Sequence, residues 1–106
     1  MSKLRIVSGD GMGREYALGD GEVVIGRRES NFIFVDHPKV SRSHAQIVRD
    51  GEHYILSDMQ SSNGTFVNNQ RINRPCQLRP GDEIRIGGST FRVSTEEEMP
   101  IPTIVS

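Results

Sequence analysis

The sequence predicts an all-β domain, a β-sandwich, and three features support this fold class. Short segments either alternate apolar and polar residues or carry short apolar runs, as strands do. Glycine, asparagine and aspartate separate these segments at nearly regular intervals. No segment shows sustained helical periodicity. Many short strands with turns between them and no helices are typical of a β-sandwich.

The first predicted elements are a hairpin and two short strands. Residues 4–8 alternate as a half-buried strand would, and the glycine-rich loop 9–13 connects them to the extended segment 15–18. A nucleotide-binding reading of these glycines requires a Lys-Ser/Thr pair or a helix after them, and neither follows. The segments 22–26 and 32–35 are short apolar runs and complete this part of the sandwich.

The second half of the chain adds further strands and their turns. Gly51 marks a turn between the first two of these strands, and Asn68 and Asn69 form a two-residue loop in which both residues tolerate a left-handed backbone. Gly87 begins the last turn. The strands predicted here span residues 45–49, 53–58, 65–67, 70–72, 83–86 and 89–93.

Length and composition restrict the function classes. A chain of 106 residues with 34% hydrophobic and 25% charged residues is expected to form one globular domain. The net charge of −1 excludes nucleic-acid binding driven by overall charge. Cys76 is the single cysteine, so an internal disulfide is excluded. No signal peptide or membrane-length apolar run is evident, and we expect a cytoplasmic monomer without membrane or nucleic-acid partners.

The chain is predicted to divide near its C-terminus. Residues 1–94 form the folded domain, and residues 95–106 are expected to be a flexible tail or linker. The acidic run 96–98 is typical of a solvated segment, and the prolines that follow discourage strand pairing. Thr103 lies in this tail and is a candidate site for a kinase.

Three polar loop segments carry the candidate chemistry. They are residues 26–28 (Gly-Arg-Arg), 40–45 (Val-Ser-Arg-Ser-His-Ala) and 61–65 (Ser-Ser-Asn-Gly-Thr). Together they supply guanidinium, hydroxyl, amide and backbone N–H donors, a set that suits a phosphate group. A catalytic pair of Ser41 and His44 is the rival interpretation, but no third member or oxyanion hole is evident. The histidines lack metal-ligand spacing, so neither an enzyme nor a metal site is expected.

These motifs, in their order and spacing, resemble the forkhead-associated (FHA) domain family. The resemblance covers residues 4–94 and is carried by Gly26-Arg27, Ser41-x-x-His44, Asp58 and the segment 62–68 (Ser-Asn-Gly-Thr-Phe-Val-Asn). It implies an eleven-stranded β-sandwich whose loops at one end bind phosphothreonine peptides. It implies no cofactor.

The resemblance also implies residue roles. Arg27, Ser41 and Arg42 would contact the phosphate, with Ser62 beside them. Asn63 would hold the peptide backbone. Lys39 would sense a residue beyond the phosphothreonine, and the loop scaffold would consist of Gly26, His44, Gly64 and Asn68.

The implied function is phosphothreonine-dependent binding in serine/threonine kinase signalling. The domain would recruit a phosphorylated partner protein or bind its own phosphorylated tail. The alternative is a protein-interaction domain that uses the surface of the sandwich without reading phosphate. Intact Arg27, Ser41 and Asn63 favour the first interpretation.

Overall fold

The computed structural model describes residues 2–9 and 11–95, which form two packed β-sheets. No helix long and apolar enough to span a membrane occurs in this part of the chain. The strands are β1 (Ser2–Ser8), β2 (Glu15–Leu18), β3 (Val23–Gly26), β4 (Ile33–Phe34), β5 (Ala45–Asp50), β6 (His53–Asp58), β7 (Phe66–Val67), β8 (Gln70–Arg71), β9 (Cys76–Leu78), β10 (Glu83–Ile86) and β11 (Ser89–Thr95).

The predicted all-β sandwich with eleven strands is confirmed. One sheet has six strands in the order β2-β1-β11-β10-β7-β8, and the other has five in the order β4-β3-β5-β6-β9. The pairs are antiparallel except for β3 and β4, which pair in parallel through Ile25 and Ile33. Sequence patterning did not identify β9, the short strand Cys76–Leu78.

Because buried and exposed residues alternate along the strands, one face of each sheet packs into a shared core. In β1, Leu4 and Ile6 are buried while Arg5 between them is exposed, and β10 repeats the pattern with Ile84 and Ile86. Burial of these apolar side chains between the sheets is the main favourable term for the fold. The buried apolar residues are Leu4, Ile6, Leu18, Val23, Ile25, Ile33, Val35, Val40, Ala45, Ile47, Tyr54, Leu56, Val67, Leu78, Ile84, Ile86, Phe91 and Val93.

The turn predicted at Asn68 and Asn69 is present, and both residues have positive φ, 51° and 71°. At the C-terminal end, β11 extends through Thr95, so it includes the first residue of the predicted tail. Residues 96–106, with Thr103, lie outside the described residues. The tail therefore stays a prediction.

Three connections of the sandwich carry the polar motifs. They are the β3–β4 loop (27–32), the β4–β5 loop (35–44) and the β6–β7 loop (59–65). We refer to them together as the site loops. Because β3, β5 and β6 are neighbours in one sheet, the ends of these strands bring the loops to the same region of the surface.

Candidate functional site

Hydrogen bonds join the site loops into one surface. The N–H of Arg27 donates to the carbonyl oxygen of Ser41 at 2.9 Å, connecting the β3–β4 and β4–β5 loops. The N–H of Ser62 donates to Ser41 Oγ at 3.1 Å. Asn63 Nδ2 donates to the carbonyl oxygen of Lys39 at 2.8 Å. Ser41 therefore lies between the other two loops, and the residues predicted to bind a phosphopeptide are brought together.

The contact between the first two loops requires a glycine at position 26. A β-carbon on Gly26 would lie 2.1 Å from the carbonyl oxygen of Arg42, well inside any tolerated distance. Asn31 Nδ2 donates to the same carbonyl oxygen at 2.6 Å. Asn31 thus helps to fix the backbone of Arg42, a role that sequence patterning did not assign.

His44 joins the β4–β5 and β6–β7 loops from inside. It is fully buried, and its Nδ1 accepts the N–H of Ser41 at 3.0 Å. Nε2 must then carry the hydrogen and donate to the carbonyl oxygen of Gly64 at 2.8 Å. Both ring nitrogens are bonded to backbone groups in this arrangement. The imidazole is thus occupied in holding loops and is not directed at the Ser41 hydroxyl.

A carboxylate organises the β6–β7 loop. Asp58 Oδ2 accepts the N–H of Ser61 at 3.0 Å, and Oδ1 accepts the hydroxyls of Ser61 at 2.5 Å and Thr65 at 2.7 Å. Ser61 Oγ in turn accepts the N–H of Gly64 at 3.0 Å. Ser61 and Thr65 are buried, as is His44. We call His44, Asp58, Ser61 and Thr65 the polar frame.

Hydrogen bonding keeps the carboxylate of the polar frame ionised. Partial burial on its own would raise the pKa of Asp58, but the hydrogen bonds from Ser61 and Thr65 outweigh it and lower the pKa below its usual value. An ionised carboxylate is purely an acceptor, which matches its donor neighbours. The sequence analysis placed Ser61 and Thr65 in the segment predicted to supply donors for a phosphate, whereas their hydroxyls are bonded to Asp58. The available signal was the Asp-x-x-Ser spacing, which favours a local side-chain-to-backbone bond.

Besides most of the polar frame, the site loops carry exposed cations. Arg27, Arg28, Lys39 and Arg42 are exposed on the site loops, and we call them the cationic rim. None of them forms an ion pair with another described residue; Arg27 Nη1 contacts only a backbone carbonyl, that of Pro38 at 3.4 Å. Elsewhere, cations do pair with carboxylates: Lys3 and Arg5 with Glu15, Arg49 with Asp20, and Arg92 with Glu83.

Hydroxyl donors lie on the same loops as these cations. Ser41 Oγ accepts the N–H of Ser62, so its own hydrogen can be donated to a ligand. The Ser62 side chain is exposed. Asn63 uses Nδ2 on Lys39, which leaves Oδ1 as an acceptor for a peptide N–H. Guanidiniums and hydroxyls beside a peptide-bonding amide can together bind an oxyanion carried by a peptide.

Asn68, predicted as part of the loop scaffold, lies apart from this group. Its Nδ2 donates to Asp82 Oδ1 at 3.0 Å, and its Oδ1 accepts the N–H of Glu83 at 3.0 Å. The side chain therefore holds the β7–β8 turn to the start of β10. It supports β7, which follows the β6–β7 loop, and its side-chain hydrogen bonds go to Asp82 and Glu83 instead of to the site loops.

Comparison with known proteins places this architecture in a family. The FHA domain family matches residues 23–87. The transcriptional regulatory protein EmbR of Mycobacterium tuberculosis (strain ATCC 25618 / H37Rv) is 43% identical over 84 residues, which is 77% of this chain and 22% of EmbR. The chain thus spans less than a quarter of that relative.

Solved structures of FHA domains are similar to this chain as well. A structure from a study of phosphothreonine-dependent FHA domain interactions has a TM-score of 0.81 at 38% identity, covering 90% of this chain and 96% of that chain. Mycobacterium tuberculosis EmbR in complex with a low-affinity phosphopeptide has a TM-score of 0.80 at 38% identity, covering 88% of this chain and 24% of that chain. The family match over residues 23–87 and the similarity in sequence and structure show that this chain belongs to the FHA domain family.

Proposed function

We propose that this chain is a non-enzymatic, phosphothreonine-dependent peptide-binding module that acts in the cytoplasm under a serine/threonine kinase. The observation that supports this function most is the cationic rim: its four cations are exposed on the site loops, which also carry the Ser41 hydroxyl, and they lack acidic partners among the described residues. A phosphate monoester carries about −1.5 to −2 charges near pH 7 and offers three acceptor oxygens. It is the ligand that such a donor set suits best.

Within this proposal each polar side chain has a distinct role. Arg27 and Arg42 neutralise the phosphate, and the Ser41 hydroxyl donates to one of its oxygens. Ser62 lies beside them, and Asn63 holds the peptide backbone. Lys39 would contact a residue beyond the phosphothreonine, and the bond from Asn63 to its backbone carbonyl oxygen supports this role by joining Lys39 to the residue proposed to hold the peptide.

The similar structures support the same ligand class. One comes from work on phosphothreonine-dependent FHA interactions, and another holds a phosphopeptide. For this chain, the partner is a protein phosphorylated on threonine. A peptide of the chain's own residues 96–106 phosphorylated on Thr103 is a second candidate ligand.

The test is a binding comparison with a degenerate library of peptides that fix one phosphothreonine, followed by calorimetry on a selected peptide. We expect binding that disappears when the phosphate is removed. Arg27→Ala should weaken binding by about 2–4 kcal/mol, because it removes a charge-assisted donor. Arg49→Ala is the matched control, since Arg49 is exposed and pairs with Asp20 instead of lying on the site loops.

Two results would reject the proposal. Equal binding of the phosphorylated and unphosphorylated peptides would indicate a phosphate-independent interaction domain. Wild-type affinity in a folded Arg27→Ala variant would remove the phosphate role of the cationic rim.

A further inference from the structure

A second group of cations lies on the outer face of the six-stranded sheet. Phe66 of β7 is directly opposite Arg71 of β8 on one side and Arg85 of β10 on the other. Directly opposite residues of antiparallel strands project to the same face, so the ring lies between two arginines. The Arg85 guanidinium carbon is 4.4 Å from the ring centroid, a cation–π contact. We call Arg71, Phe66 and Arg85 the lateral strip.

The lateral strip begins at the β6–β7 loop. A β-carbon built on Gly64 would lie 2.7 Å from Arg71 Nε and 3.0 Å from its Cζ, so the guanidinium covers that glycine. Gly64 follows Asn63 in the chain and accepts the His44 hydrogen bond through its carbonyl oxygen. Arg71 of β8 therefore packs against the residue that follows Asn63, and the Asn63 side chain is the one proposed to hold the bound peptide.

The charges of the lateral strip are available to a ligand. Arg71 and Arg85 are exposed, and neither forms an ion pair with any residue that the structure describes. On the same sheet, Arg92 contrasts with them, because its Nη2 lies 2.6 Å from Glu83 Oε2. Phe66 is half-buried and leaves part of an apolar ring between the two guanidiniums. Two unpaired cations flanking an apolar patch complement an acidic segment that also carries apolar side chains.

We propose that the lateral strip binds acidic residues that flank the phosphothreonine in the same partner segment. This inference rests on the proposed function, since the phosphate on the site loops brings the flanking residues close to Arg71. An extended peptide advances about 3.3–3.6 Å per residue, so acidic side chains within a few residues of the phosphothreonine can reach Arg71 first and Arg85 next. The strip thereby selects among phosphothreonine ligands.

The experiment compares matched phosphothreonine peptides by fluorescence anisotropy. One set carries Asp and Glu on the N-terminal or the C-terminal flank, and the other set has Asn and Gln at the same positions. Wild type should prefer one acidic flank by about two- to five-fold, the range of an exposed ion pair. The preference should decrease as salt is added.

Variants assign this preference to the lateral strip. Arg71→Gln should abolish it while leaving the affinity for the neutral peptide unchanged, and Arg71→Lys should retain most of it because the charge is kept. Arg85→Gln should reduce it less, since Arg85 is farther from the site loops. Arg92→Gln is the matched control and should retain it, because Arg92 is already paired with Glu83.

The outcomes separate the two proposals. If phosphopeptides bind but no variant changes the acidic preference, the lateral strip is not a binding surface and the phosphothreonine module stands. If Arg71→Gln weakens acidic and neutral peptides equally, Arg71 merely supports Gly64, and the inference is wrong. If wild type does not distinguish phosphorylated from unphosphorylated peptides, the proposed function fails, and this inference fails with it.

Discussion

The polar frame and the cationic rim lie in the same loops but are built by opposite rules. In the frame, His44, Ser61 and Thr65 are buried and hydrogen-bonded, and no buried side-chain nitrogen or oxygen among the described residues lacks a partner. In the rim, Arg27 and Arg42 are exposed and have no carboxylate partner in the described part of the chain. The frame stabilises the loops, whereas the rim keeps its charge free for a ligand.

This difference predicts that the polar frame contributes mainly to the stability of the loops and that the cationic rim contributes mainly to the affinity for a ligand. A satisfied buried network rigidifies the backbone and is costly to interrupt. Exposed arginines contribute little to folding, because surface charges are well solvated. Variants of the frame should therefore reduce stability, and variants of the rim should reduce affinity. Ser41 is the exception, because it contacts the frame through its N–H and borders the rim through its hydroxyl.

The largest expected effect is that of His44→Ala on stability. The change leaves the N–H of Ser41 and the carbonyl of Gly64 without partners and opens a cavity in a fully buried position. We expect a loss of about 2–4 kcal/mol in the free energy of unfolding. Urea unfolding followed by tyrosine fluorescence or circular dichroism measures it. Arg42→Ala is the control from the rim and should change stability by less than about 0.5 kcal/mol.

Equal unfolding free energies for His44→Ala and wild type would contradict the assignment of loop stability to the polar frame. They would mean that water replaces the imidazole at no cost and that the frame does not hold the loops.

The next effect concerns Ser41, where the two regions meet. Ser41→Ala removes one hydroxyl donor to a charged ligand and should weaken phosphopeptide binding by about 1–2 kcal/mol. Its N–H bond to His44 is retained, so stability should decrease less than in His44→Ala. Calorimetry measures the loss of binding free energy in this variant, and urea unfolding measures its loss of stability. Ser94→Ala, on β11, is the matched serine control. A variant that loses stability as His44→Ala does, yet binds normally, would place Ser41 entirely in the frame.

Much of this architecture is readable from the sequence because it depends on local patterns. Alternating burial predicts strands such as β1 and β10, and Asn68 with Asn69 predicts the tight turn. The sequence pattern did not reveal the strand β9 for a local reason: Cys76-Gln77-Leu78 has only one buried side chain, Leu78, and lies between Pro75 and Pro80. Pairing with β6, a tertiary contact, defines it as a strand.

The site was predictable in composition but not in geometry. The motifs identify Arg27, Ser41 and Asn63 as candidates, and the family resemblance groups them. The bonds that position them connect residues far apart in sequence, such as Asn63 to Lys39 and Asn31 to Arg42. No local pattern encodes such contacts. For the same reason, the motif could not show that Asn68 bonds to β10 instead of to the site loops.

The smallest effect we predict is the response of the polar frame to acid. The pKa of Asp58 is lowered in the folded protein, because the hydrogen bonds from Ser61 and Thr65 outweigh the opposing effect of burial. An unfolded aspartate has a pKa of about 3.9, so in this range the unfolded state binds more protons than the folded state. The stabilisation from Asp58 is thus complete above the unfolded pKa and is lost as pH falls through the lower, folded value.

Asp58→Asn isolates this contribution. The amide cannot reproduce two acceptor oxygens, so the variant should be less stable than wild type at pH 7, and its stability should decrease less on acidification. Urea unfolding of both proteins at several pH values between about 6 and 3 gives the two slopes. The two proteins share every other carboxylate, so the difference between the slopes reports on Asp58 and the frame around it. Parallel slopes would show that the Asp58 carboxylate is no better stabilised in the folded loops than in water, and would contradict its proposed part in the polar frame.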